Sequence, residues 1–171
     1  MNIVERAYRF ADKAHEGQVR KYTFEPYINH PVKVCSFVET VTEDPEICAA
    51  ALLHDVVEDT PYTLDDIEAE FGERVANLVF CLSDVASLAD GNRAKRNLIN
   101  VRHYACAHPD AKTVKLADLM DNIPSIIEHD PGFAKVYVAE KKMLLGVLKN
   151  GNTHLFKSVE EIIEEYEKNL P

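Results

Sequence analysis

The chain has 171 residues, 46% of them apolar and 28% charged, with 19 basic against 29 acidic side chains and a formal net charge of −10. That length and apolar content suit one packed domain and exclude a disordered chain. The acidic balance excludes a general nucleic-acid binder, which needs a positive footprint, so any phosphate chemistry must come from a local site.

The longest wholly apolar run, Ile47–Leu53, is far shorter than the roughly 20 residues that span a bilayer. The N-terminus meets charge at Glu5 and Arg6 before any apolar h-region, which gives the expectation of a cytoplasmic protein with no membrane association. The four cysteines, Cys35, Cys48, Cys81 and Cys106, form no C-x-x-C pair. They read as reduced core thiols instead of a zinc knuckle or redox motif.

Periodicity predicts helices nearly throughout. Ile3, Val4, Ala7, Phe10, Ala11 and Ala14 form one amphipathic stripe. Pro31 opens a second helix, and Asp44-Pro45 caps and starts a third through the apolar run. Thr63 followed by Asp65-Asp66 starts a fourth, Gly72 ends or bends it, and a fifth carries Val75, Leu78, Val79 and Leu82. Helices are then expected over 93–107, over 110–127 with a kink near Asn122 caused by Pro124, and after the Asp130-Pro131 cap. The last begins at a capping box around Ser158 and Glu161. The expectation is an all-α, single-domain bundle of about nine helices over residues 1–171.

Two segments concentrate chemistry: His54-Asp55-Val56-Val57-Glu58-Asp59-Thr60 after the most apolar helix, and Lys115-Leu116-Ala117-Asp118 with Asn122 four residues on. Helical spacing pairs His54 with Glu58, Asp55 with Asp59 and Asp118 with Asn122. Ionisable groups packed after a buried run need partners or a metal to offset their desolvation. A His-Asp pair alone is weak evidence. His129-Asp130 is a second copy, read as a helix cap. His30, held at a helix start by Pro31, and Asp118, flanked by apolar residues, could complete an N/O shell suited to Mn²⁺, Fe²⁺, Co²⁺ or Zn²⁺.

The blocks Gly17-Gln18-Val19-Arg20-Lys21, Pro26-Tyr27-Ile28-Asn29-His30-Pro31, Ala51–Thr60 and Val114–Asp118 resemble the HD-superfamily hydrolase domain of RelA/SpoT enzymes. The whole chain is similar to the small stand-alone alarmone hydrolases. The resemblance runs from about Ala7 to Leu148, with the motifs in the family's order. It implies metal ligation, usually of Mn²⁺, by His30, His54, Asp55 and Asp118, and a water-activating pair in Glu58 and Asp59. It also implies base contacts from Arg20 and Lys21 and a ribose-phosphate contact from Asn122. Arg93 ranks among the phosphate-binding cations, and Tyr137 and Lys141 are further candidate substrate contacts. The implied reaction removes the 3′-pyrophosphate of ppGpp or pppGpp. Elementary chemistry agrees, because pyrophosphate ester hydrolysis calls for a Lewis acid, an activated water and a proton acceptor.

Three positions depart from the family pattern: Phe24 where glycine is frequent, Leu119 where a cation usually follows Leu-Ala-Asp, and Ser83-Asp84 in place of Thr-Lys. Phenylalanine is expected not to adopt the φ > 0 backbone open to glycine, so the base loop should be altered. That opens an alternative nucleotide phosphohydrolase acting on ppApp-like alarmones, NADPH or nucleoside monophosphates. A regulatory binding module and a metal-stabilised structural bundle are the non-enzymatic readings. The sequence leaves a homo-oligomer open.

Overall fold

The computed structural model describes residues 1–170. They form two compact units, Met1–Ser83 and a second from Asp84 onward. All regular structure among the described residues is helical, with one isolated antiparallel bridge between Val19 and Pro26.

The first unit contains α1 (Ile3–Ala14), α2 (Asn29–Glu39), α3 (Pro45–Leu53), α4 (Val56–Asp59), α5 (Leu64–Phe71) and α6 (Glu73–Leu82). Its axis is α3, which packs on α1, α2 and α6. Every residue of Ile47–Leu53 is buried, as expected for a helix that is apolar on all sides. Asp44 caps α3 by accepting from the Glu46 amide at 3.0 Å, with Pro45 at the first helical position. Thr63 and Asp66 form the cap of α5. Gly72, at φ +89°, ends α5 and starts α6 in a conformation that a side chain would strain.

The second unit contains a 3₁₀ turn (Leu88–Asp90), α7 (Arg93–Ala105), α8 (Pro109–His129), α9 (Pro131–Leu145) and α10 (Thr153–Lys168). Here α8 packs against α9 and α10. It remains helical through Pro124. Asp130 caps α9 by accepting from the Phe133 amide at 3.2 Å.

The all-α expectation holds, and three details change. The additional helix is α4, a single turn that follows the non-helical step at His54-Asp55. The final helix starts at Thr153, because Asn152 accepts from the His154 and Leu155 amides. Ser158 lies inside α10, with its hydroxyl donating to the His154 carbonyl. Cys35 and Cys48 are core thiols, but Cys81 is only partly buried and Cys106 is exposed.

No described helix is long and apolar enough to cross a membrane.

Candidate metal centre and active site

In the first unit, His30 near the start of α2 meets His54 just beyond the end of α3, with ring centroids 5.2 Å apart. Both imidazoles are buried. The Nε2 atoms of His30 and His54 lie 3.5 Å and 3.0 Å from the same oxygen of Asp55. One donor atom from each of the three residues falls within 4.8 Å of the others.

His54 Nδ1 sits 2.8 Å from the Ala51 carbonyl. A carbonyl only accepts, so Nδ1 carries the proton and, in the neutral ring, Nε2 presents its lone pair to the Asp55 carboxylate. Two acceptors at that separation are reconciled by a proton or a cation between them. This donor set, two imidazoles and a carboxylate without a thiolate, fits a divalent transition metal of N/O preference. The backbone carbonyl behind His54 fixes the ring's tautomer and orientation, a usual support for a ligating histidine.

Tyr27 completes this arrangement, and sequence reasoning passed over it. Its hydroxyl donates to Asp55 Oδ2 at 2.6 Å, and its ring stacks 4.7 Å from His15. His15 is buried, and its Nδ1 is 2.8 Å from Gln18 Oε1, while Gln18 Nε2 donates to the Asp59 carbonyl at 2.8 Å. The available signal was the Pro-Tyr-Ile-Asn-His-Pro block, in which only the histidine announced itself as a ligand type.

The acid pair differs from its expected setting. The Asp59 amide bonds to the Asp55 carbonyl at 2.9 Å, which confirms the i, i+4 relation of those two residues. His54 and Glu58, in contrast, lie on either side of the step between α3 and α4. Glu58 and Asp59 are exposed, not buried behind the apolar run. The Asp59 carboxyl is nevertheless raised above the usual carboxylate range, first by desolvation and then by the Asp55 charge, against the lowering effect of a Tyr27 hydrogen bond.

Between α1 and α2 the chain forms a short hairpin, with the Arg20 amide bonded to the Glu25 carbonyl at 2.8 Å and the Tyr27 amide to the Gln18 carbonyl at 3.0 Å. Arg20 and Lys21 stand on it, and the Lys21 ammonium lies 4.7 Å from the Tyr22 ring centroid and donates to its hydroxyl at 3.1 Å. Phe24 occupies the tip at φ +58°, with 75% of its surface exposed. The expectation that phenylalanine would exclude a positive φ is therefore wrong. The loop keeps the backbone glycine would favour, and the difference is an added exposed ring.

In the second unit, Asp118 is buried in α8. Its carboxylate takes the Lys115 ammonium at 2.9 Å and the Asn122 amide at 2.5 Å. Lys115 stands 5.1 Å from the Tyr104 ring centroid. Burial alone would lower its proton affinity, but the charges of Asp118, Tyr104 and Asp84 outweigh burial and raise it well above the ordinary lysine value. Lys141 is lowered, first by burial and then by repulsion from Lys115, and stands 4.9 Å from the Tyr137 ring centroid. Arg93 is engaged by Glu140 through two 2.7 Å bonds and lies over the Phe133 ring. Leu119, where a cation was expected from the family pattern, is fully buried and serves the core.

Residues 7–147 match the HD-domain family, and the chain belongs to that family. It is 42% identical over 119 residues to guanosine-3′,5′-bis(diphosphate) 3′-pyrophosphohydrolase of Haemophilus influenzae, covering 68% of this chain and 17% of that protein. It is 40% identical over 126 residues to the bifunctional (p)ppGpp synthase/hydrolase SpoT of Escherichia coli, covering 72% of this chain and 18% of that one. The chain thus spans less than a fifth of these relatives. Among solved structures, a metazoan ortholog of SpoT, described as hydrolysing ppGpp, superposes with a TM-score of 0.87 at 28% identity over 97% of this chain and 96% of that one.

Proposed function

We propose that the chain is a Mn²⁺-dependent phosphohydrolase that removes the 3′-pyrophosphate of ppGpp and pppGpp, releasing GDP or GTP. The observation that carries this reading is the grouping of His30, His54 and Asp55 ligand atoms within 4.8 Å of one another, in a chain of the HD family whose relatives include ppGpp pyrophosphohydrolases. The family match runs through both compact units, from residue 7 to residue 147, which supports treating 1–171 as one functional domain.

His30, His54 and Asp55 would hold the metal, and the family resemblance adds Asp118 as a fourth ligand. When bound, such an ion supplies Lewis acidity and makes water a stronger nucleophile. The chain's own residues do the rest. Tyr27 orients Asp55 through its 2.6 Å bond. Glu58 and Asp59 position the attacking water, and one of them accepts its proton. Asp59, whose proton affinity is raised by desolvation and by the Asp55 charge, is a stronger proton acceptor than an ordinary carboxylate. Arg20 and Lys21 border the base, Asn122 the ribose-phosphate, and Tyr137 the substrate. Lys141, whose hold on its proton is weakened by burial and by Lys115, would be strengthened as a cation by a neighbouring phosphate. Arg93 can join only by sharing the Glu140 pair.

The exposed Phe24 ring on the same hairpin supports a second reading, in which an adenine-bearing alarmone or NADPH is taken as well. Metal-stripped protein reconstituted with Mn²⁺ and assayed by ion exchange against ppGpp, pppGpp, ppApp and NADPH tests both. The proposal predicts the highest kcat/KM on ppGpp or pppGpp, and no release of GDP or GTP from either would refute it.

A further inference from the structure

Helices α2 and α3 run antiparallel, so the end of the pair that joins His30 to His54 has an opposite end. There Cys35 and Glu39, one turn apart on α2, face Cys48 near the start of α3. The two sulfurs and one Glu39 carboxylate oxygen all lie within 4.8 Å of one another. A zinc ion with Zn–S of about 2.3 Å and Zn–O of about 2.0–2.2 Å needs donors roughly 3.5–3.8 Å apart, so side-chain adjustment of about 1 Å closes the set. Both thiols are free and buried, and Glu39 is exposed. Cys35 and Glu39 line a cavity of about 550 Å³ that also touches Arg9 and Leu52. The cavity opens onto Cys35 and Glu39, two of the three donors, and leaves room for a water as fourth ligand.

We propose that Cys35, Cys48 and Glu39 form a second, structural site for a thiophilic divalent cation, of which zinc is the best match. Two thiolates with one carboxylate are softer than the His30-His54-Asp55 set and select against Mn²⁺. Binding breaks two S–H bonds and forms two S–metal bonds, and both protons leave to solvent. No electron is transferred. The site clamps α2 to α3 at the end remote from the histidines, and so holds in place the two helices that present them. It stands whether or not the chain hydrolyses alarmones.

Cobalt is the probe, because thiolate ligation gives a near-ultraviolet charge-transfer absorption that a His/Asp site cannot produce. Phosphine-reduced, metal-free full-length protein is titrated with Co²⁺, then with Zn²⁺, on a Cys81→Ser/Cys106→Ser background that removes the two more accessible thiols. The expected result is one equivalent of cobalt giving this absorption, its displacement by zinc, and a rise in thermal midpoint on zinc addition. Cys48→Ser should lose most of the absorption and the midpoint shift. Glu39→Gln, at an exposed position that leaves the core intact, should keep the absorption but weaken cobalt binding at least about 10-fold, the scale seen for loss of even an outer-shell partner. Absence of the absorption on the thiol-depleted background, its persistence in Cys48→Ser, or unchanged affinity in Glu39→Gln would overturn the site.

Discussion

Asp55 and Asp118, one in each compact unit, are both assigned as ligands by the family pattern, yet their surroundings differ in kind. Around Asp55, two imidazole Nε2 atoms stand 3.5 Å and 3.0 Å from the same carboxylate oxygen that accepts the Tyr27 hydroxyl, a set of nitrogen and oxygen donors that a cation complements. Around Asp118 the partly buried Lys115 ammonium at 2.9 Å and an amide at 2.5 Å already complement the carboxylate. The first aspartate stands in a set of metal-type donors, while the second is already paired with Lys115 and would have to share that pair with any ion it held. The Lys115 ion pair and the Asn122 hydrogen bond offset the cost of burying the Asp118 carboxylate.

The most drastic way to break the contrast is to remove a member of the first group. His54→Ala and Asp55→Ala are expected to abolish turnover on ppGpp under saturating Mn²⁺, read as released pyrophosphate, since loss of one ligand opens the shell. Glu58→Gln comes next. It should retain metal, checked by elemental analysis, and lose about 10²–10⁴ in kcat, the usual worth of a general base. Loss of manganese from that variant would make Glu58 a ligand.

Lys115→Met sharpens the comparison from the other side. It leaves Asp118 buried without its ammonium, and breaking such a pair costs about 3–5 kcal/mol, measurable by urea unfolding of metal-free protein. If Asp118 joins the metal, added Mn²⁺ should restore part of that loss. Full loss with and without the ion would remove Asp118 from the ligand set.

The helical architecture was legible because capping and periodicity are local. Asp44-Pro45, Thr63 and Asp130 each cap the helix that their sequence announces. The step at His54-Asp55 was not, since an uninterrupted apolar run into a charged run has no breaker residue. The residue types of the candidate donors His30, His54 and Asp55 were readable, but their mutual approach depends on α2 packing against α3. For the same reason Tyr27, 28 residues from Asp55 in sequence, stayed hidden. Phe24 shows the reverse failure, because a residue preference was taken as a prohibition. Its φ of +58° shows tertiary context overriding the local cost.

Phe24 therefore yields a smaller, two-part expectation. Replacing it with glycine relieves a left-handed backbone worth about 1–2 kcal/mol and adds about 0.5–1 kcal/mol of unfolded-state entropy. The net should be a slight rise in thermal midpoint. Because the backbone path is retained, any change in the ratio of ppGpp to ppApp kcat/KM reports the ring alone, and an unchanged ratio would show that the ring does not choose the base. The smallest effect concerns Lys141. Burial and Lys115 make it hold its proton less tightly when folded, so stability should rise with pH as the solution approaches the ordinary lysine value of 10.5 from below. Lys141→Met should lack that rise in pH-dependent thermal melts.

The most direct test of the central claim, that His30, His54 and Asp55 form a manganese site, is a count of bound ion that does not depend on substrate. Free Mn²⁺ is followed by electron paramagnetic resonance as it is titrated into metal-free protein and into Asp55→Ala, with circular dichroism confirming that the variant is folded. One tightly bound manganese per wild-type chain and none in Asp55→Ala is the predicted result; undiminished binding in the folded variant would contradict it.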